Sequence, residues 1–206
     1  MPLASSLMSY IRFFTLLSPI MIPTMAIFSS LFNANFKGFV YVLGLTIATT
    51  FGSFIAPVIG KKVPQYQGRP GIDAACNLVG SSIGGWGTEY STPGPHALVL
   101  AFTATYLMFP MFLNGTTNLI LIGSLIFLTV LSAAIRISSP MNCITMGDAA
   151  AGWGTGFILG AMWYFAVVSL AGTQSNLTYF ETEKSDRQQC TLSKTSFRCK
   201  KRRVAN

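Results

Sequence analysis

The chain has 206 residues, of which 51% are hydrophobic and only 10% charged, with a formal net charge of +8 and a mean hydropathy of +0.52. Soluble domains carry about 25% charged residues, so this chain lacks the polar surface of a water-facing fold, and its length suits a single domain. One histidine, and four cysteines with no C-x-x-C pair among them, argue against zinc and haem.

Taken in chain order, the apolar stretches predict an all-α integral membrane bundle of about five transmembrane helices, since a spanning helix needs about 20 largely apolar residues. The first span is expected over 10–31, with Pro19 and Pro23 kinking it. It runs too long, and too directly into a second apolar stretch, for a cleavable signal peptide. A polar turn over 33–37 leads into the second span, 38–59, and residues 60–95, rich in Gly, Ser and Pro, make the longest interruption. The third span covers 96–113, and Asn114-Gly115-Thr116-Thr117 turns the chain into the fourth, 119–137. After a polar loop the fifth covers 149–171, so residues 1–172 form the helical transmembrane domain and 173–206 a basic extramembrane tail.

The fifth span carries Gly152, Gly156 and Gly160 at four-residue spacing. Three small residues on one helix face allow close backbone approach, and packing within the chain is favoured over a dimer seam. Cys76, Cys143, Cys190 and Cys199 are expected as buried free thiols. No internal repeat is visible.

Charge is concentrated in the tail, which contributes +5 of the total. Lys/Arg-rich segments are retained in the cytoplasm, so the tail is expected on the cytoplasmic side, with Lys37 and the Asn114 turn. The 60–95 and 138–148 loops then share the luminal or external face. Asn114-Gly-Thr and Asn176-Leu-Thr match the glycosylation pattern, but this orientation puts both on the wrong side, and neither is expected to be modified.

The charges of the membrane domain converge on one face. Lys61, Lys62 and Arg69 lie in the 60–95 loop, His96 starts the third span, Arg136 ends the fourth and Asp148 opens the fifth. Charges at apolar depth are costly and default to a functional role. Cations and a histidine at one level suggest an oxyanion site, with Lys62, Arg69, His96 and Arg136 holding phosphate oxygens by charge-assisted bonds. The bland alternatives are an interfacial anchor for Arg136, a helix-start residue for His96 and a helix cap for Asp148.

Lys62, six residues and then Arg69-Pro70 resembles the first signature of the type 2 phosphatidic acid phosphatase superfamily, which includes lipid phosphate phosphatases and vanadium haloperoxidases. Pro93-Gly94-Pro95-His96 stands where the family has Pro-Ser-Gly-His. Ile135-Arg136, followed by Asp148-Ala-Ala-Ala-Gly152, stands where it has Ser-Arg, five residues, His, three residues and Asp. The resemblance covers about residues 40–170. It implies that His96 matches the acid that protonates the leaving oxygen, and that Asp148 matches the residue orienting a nucleophilic histidine. Covalent catalysis needs both histidines, and this chain has one.

The nucleophile's place, six residues after Arg136, is Asn142, and counting back four from Asp148 gives Ile144. Neither attacks phosphorus. The loop from Arg136 to Asp148 is two residues longer than the family's, Gly94 replaces the second-signature Ser, and Pro95 removes a backbone donor. Cys143 is the one rescue, because a thiolate of lowered pKa is a competent nucleophile, although no base stands near it in sequence. If the chain were active, the catalytic set would be His96, Cys143 and Asp148.

The tail's Arg198-Cys-Lys-Lys-Arg-Arg203 cluster suits anionic lipid headgroups, at about 1 kcal/mol per basic residue near the surface. Its alternatives are a solvated topology determinant and a docking point for a protein partner that orders it. Nucleic acid is not favoured, because no aromatic residues interleave the charges as stacking platforms. The expectation is a non-catalytic, phosphatase-like membrane protein with a structural or binding role, such as a component of a virion membrane or another large assembly. It is expected to use no cofactor and no metal. The competing expectations are an active lipid-phosphate or pyrophosphate phosphatase with a non-standard nucleophile, and a small channel or transporter, for which the spans offer few interior polar residues.

Overall fold

The computed structural model describes residues 2–60, 90, 92–138, 143–171, 177–180, 189–193 and 196–200, with backbone alone for 2–7, 171 and the two strands. Five helices follow one another: α1 (Pro2–Phe32), α2 (Lys37–Ile59), α3 (Pro95–Leu113), α4 (Leu119–Ile137) and α5 (Met146–Ala171). Each contains a stretch long and apolar enough to cross a membrane. Two short strands in the tail, β1 (Gln189–Ser193) and β2 (Ser196–Lys200), form an antiparallel hairpin.

The expected spans are all present, and the differences lie at their starts. α1 begins at Pro2, eight residues before the expected start at residue 10, with its apolar span over Met8–Phe32. It continues as helix through Pro19 and Pro23. Pro19 has no N–H to give the Thr15 carbonyl, and the Ser18 hydroxyl donates to that oxygen instead, at 2.7 Å. The freed acceptor is thus satisfied inside the apolar segment, as spanning helices require. α5 begins at Met146 because Thr145 and Asp148 cap it, as described below.

α3 is the central helix. Of its most apolar window 67% is buried, twice the share in any other helix. The reason is the glycine face of α5. A Cβ on Gly152 would stand 2.6 Å from the Gly94 carbonyl oxygen and 2.8 Å from the Ala97 Cβ, and one on Gly160 would stand 2.8 Å from the Phe102 carbonyl oxygen. Gly156 sits equally close to the Leu98 carbonyl. The stripe therefore seats α5 on α3 within one chain, as the small-residue spacing suggested.

On the other flank of α3, Tyr41 and Leu45 of α2 pack with Leu98, Phe102 and Tyr106. Thr103 already donates to the Val99 carbonyl at 2.7 Å, so the buried Tyr41 hydroxyl donates to Thr103 Oγ1, also at 2.7 Å. Tyr41→Phe is expected to cost about 1 kcal/mol, read as a lower midpoint on titrating the detergent-solubilised protein with dodecyl sulfate. α5 also reaches α2, where the Trp163 indole lies against Gly44 and donates to the Val40 carbonyl at 3.1 Å.

The outward faces are apolar. Phe14, Met25 and Phe28 of α1, Phe54 and Val58 of α2, Ile120 and Phe127 of α4 and Met162 and Leu170 of α5 are all exposed. Such a belt suits hydrocarbon rather than water, and the chain is a multi-pass membrane protein.

The chain alternates direction, so one bundle end gathers the turns after α1 and α3. There the Asn114 amide donates to the Phe180 carbonyl at 2.9 Å, Tyr179 packs edge-on against Tyr106, and the Tyr179 hydroxyl bonds Ser30. The 177–180 segment thus returns to the bundle after α5. Gly115 has φ +65° in the turn, a conformation glycine adopts without strain. The Asn114 nitrogen that would carry a glycan is the one bonded to Phe180, and Asn176 lies outside the described residues. The opposite end holds Gly60, the start of α3, Arg136 and the α4–α5 connection.

Candidate functional site

Site geometry at this second end starts from Asp148. Thr145 is the N-cap of α5 and Asp148 its third residue. The Asp148 N–H meets Thr145 Oγ1 at 3.3 Å, and the Asp148 carboxylate accepts from the Thr145 N–H at 3.0 Å and its hydroxyl at 2.8 Å. This reciprocal capping box satisfies orphan donors and sets a negative charge at a helix N-terminus. The second carboxylate oxygen accepts from the Thr92 hydroxyl, and the Asp148 carbonyl accepts from the Gly94 N–H at 3.0 Å. Asp148 therefore anchors the 92–95 turn, which starts α3, onto the start of α5. Gly94 fits closely there, since a Cβ would stand 3.2 Å from the Asp148 carbonyl oxygen.

His96, one residue into α3 beyond Pro95, is 2% exposed, and neither ring nitrogen has a hydrogen-bond partner. Buried polar atoms are nearly always paired, so this imidazole stands out. Arg136, at the last turn of α4, is 4% exposed, and its charge acts directly on the His96 ring. His96, Arg136 and Asp148 are thus brought to one end of the bundle from three helices. Lys61, Lys62 and Arg69, the other expected anion ligands, lie outside the described residues, as does Asn142.

Two expectations about cysteine are corrected. Cys143 is disulfide-bonded, and no cysteine with a described side chain is a free thiol. Its sulfur carries no thiolate, so the role of substitute nucleophile falls away. The residue is 2% exposed, packs with Leu16 and Ile135, and its N–H donates to the Arg136 carbonyl at 2.8 Å. It therefore tethers the loop to the end of α4. Ile144 packs beside it and offers no reactive atom. No grouping of three or more His, Cys, Asp or Glu able to hold a metal occurs among the described residues.

About one and a half turns deeper, an apolar cavity of about 490 Å³ opens among α3, α4 and α5, lined by Thr105, Met108, Phe109, Ile126, Val130 and Trp153 among others. The buried Trp153 N–H has no hydrogen-bond partner. Residue reading missed this cavity, which has no linear signature, and it missed the roles of Thr92 and Thr145. The Thr145-x-x-Asp148 spacing before an apolar run was a readable signal for the second.

No family model, curated protein or solved structure matches the chain.

Proposed function

We propose that this is a non-catalytic, phosphatase-like multi-pass membrane protein, whose 60–95 and 138–148 end grips the phosphate of a membrane lipid without cleaving it. The observation that carries the reading is His96: a buried imidazole with both nitrogens unpartnered, set beside a buried arginine, at the position matching the family's acid. A buried imidazole without a hydrogen-bond partner costs stability unless a ligand atom completes it. Lys62 and Arg69 complete the set in sequence. The cavity among α3, α4 and α5 begins below this end and offers an apolar path for an acyl chain.

The arguments against turnover come from the same residues. Asn142 and Ile144 are unreactive, and the Cys143 sulfur is spent in a disulfide. The channel reading loses its polar pathway as well. The hydroxyls of Thr46, Thr103, Thr105, Ser124, Thr129 and Thr155 each donate to a carbonyl of their own helix. The Cys143 bond fits an oxidising compartment for its loop, the orientation that a cytoplasmic basic tail implies. The tail then rests on anionic headgroups at about 1 kcal/mol per basic residue.

The test uses purified protein in detergent with short-chain phosphatidic acid. Binding is expected with no phosphate released, and Arg136→Ala and Arg69→Ala are each expected to weaken it by about tenfold or more, the loss of a charge-assisted bond. Phosphate release abolished by His96→Ala would overturn the non-catalytic reading. Binding unaltered in both arginine variants would remove the anion site.

A further inference from the structure

The tail hairpin pairs Gln189 with Lys200, Cys190 with Cys199, Thr191 with Arg198, Leu192 with Phe197 and Ser193 with Ser196. Two residues, Lys194 and Thr195, separate the strands. In a hairpin of this length the pair flanking the turn is hydrogen-bonded, and hydrogen-bonded and non-hydrogen-bonded pairs alternate from there. Cys190 and Cys199 therefore occupy a non-hydrogen-bonded pair. Cα atoms at such pairs are about 4.5 Å apart, inside the window of about 4.4–6.8 Å that a disulfide bridges.

Alternation along the strands also divides the register into two faces. Cys190, Leu192, Phe197 and Cys199 share one, while Arg198 and Lys200 share the other with Gln189 and Thr191. The turn is poorly suited to holding this arrangement. Two-residue hairpin loops favour glycine and asparagine, and here they are Lys194 and Thr195. An isolated two-stranded hairpin is also marginal in water. The register supplies the missing staple.

We propose that Cys190 and Cys199 form a paired redox site, two thiols that close the tail hairpin by a cross-strand disulfide and release it on reduction. Oxidised glutathione is a sufficient donor. One cysteine thiolate attacks it, forming a mixed disulfide and expelling one reduced glutathione. The facing thiolate then attacks the mixed disulfide at the protein sulfur and expels the second. Two protein thiols and one glutathione disulfide thus become one protein disulfide and two reduced glutathiones.

The placement gives this closure a consequence. Phe180 is bonded back to the bundle end, and the nine residues from there to Gln189 reach at most about 30 Å. Closure therefore keeps Arg198 and Lys200 at register positions on one face of the hairpin, within that reach of the bundle end. On a cytosolic side the thiol pool keeps the pair reduced, and oxidation there is transient and regulatory.

The full-length protein in detergent is treated briefly with dilute dithiothreitol, exchanged into oxidised glutathione, quenched in acid, alkylated and digested with trypsin. Cleavage after Arg187, Lys194, Arg198 and Lys200 leaves peptides 188–194 and 199–200 joined only if Cys190 is bonded to Cys199. The linked pair is expected in about tenfold excess over glutathione adducts, because resolution within the hairpin outruns a second intermolecular exchange. In Cys190→Ser, Cys199 is expected to accumulate as the glutathione adduct. Stable adducts on both cysteines of the unmodified chain, or a link from either to Cys76 or Cys143, would overturn the proposal.

Discussion

Gly156→Leu is expected to prevent α3 and α5 from seating, with the largest loss of stability of any single substitution in the described bundle. Even the first carbon of a side chain would enter the space of the Leu98 carbonyl and stand 2.9 Å from the Ala101 Cβ. Both obstacles belong to the central helix, so neither can rotate away, and the helices must separate. Overpacking typically costs about 1–3 kcal/mol. A loss at or above the top of that range is expected here, because the close backbone approach along the seam is lost with it. The control is Gly154→Ala, two residues away on the same helix, where a Cβ meets nothing within 4 Å. That change removes a flexible helix residue and is expected to stabilise by up to about 1 kcal/mol. Dodecyl sulfate titration of both variants reads the opposite signs directly. Equal effects would mean that the glycine face does not seat α5 on α3.

Asp148→Ala separates two forces that act on an anion site in opposite directions. By charge alone, removing a carboxylate from the His96 and Arg136 end strengthens anion binding. By geometry, it leaves Thr92 and Thr145 without their acceptor, uncaps α5 and frees the 92–95 turn that positions His96. Loss of the cap and of charge-assisted bonds is expected to cost on the order of 3 kcal/mol in stability, and phosphatidic acid binding is expected to weaken. Asp148→Asn keeps an oxygen for Thr145 and removes the charge. Its stability loss is expected to be about half as large, and its binding equal to or tighter than that of the parent chain. Tighter binding in the alanine variant would show that the carboxylate opposes the anion and positions nothing.

These expectations rest on features of unequal visibility in the sequence. The five apolar runs, separated by Asn33–Lys37, the 60–95 loop, the Asn114 turn and the Arg136–Asp148 loop, predicted five helices within about three residues of their observed bounds, except at the start of α1, which begins eight residues earlier. Length and hydropathy decide such a pattern, because every backbone group inside hydrocarbon must bond within its own segment. The glycine spacing of α5 was equally plain, and so was the Thr145-x-x-Asp148 cap, although only Asp148 was considered for that role. These are local properties of consecutive residues.

Contacts between distant segments were not legible. Nothing in the order of residues shows that the Gly94 N–H is held by the Asp148 carbonyl, that Cys143 is bonded rather than free, or that Cys190 stands opposite Cys199. Such facts follow from which faces meet and in what register, a choice made by packing across the whole bundle. The sequence by itself determined a charge-poor helical membrane bundle with its few ionisable residues at the ends of its helices. The tertiary structure decided that His96 would be buried beside Arg136 and that α3 would be the centre, because α3 is the helix on which the glycine face of α5 can close.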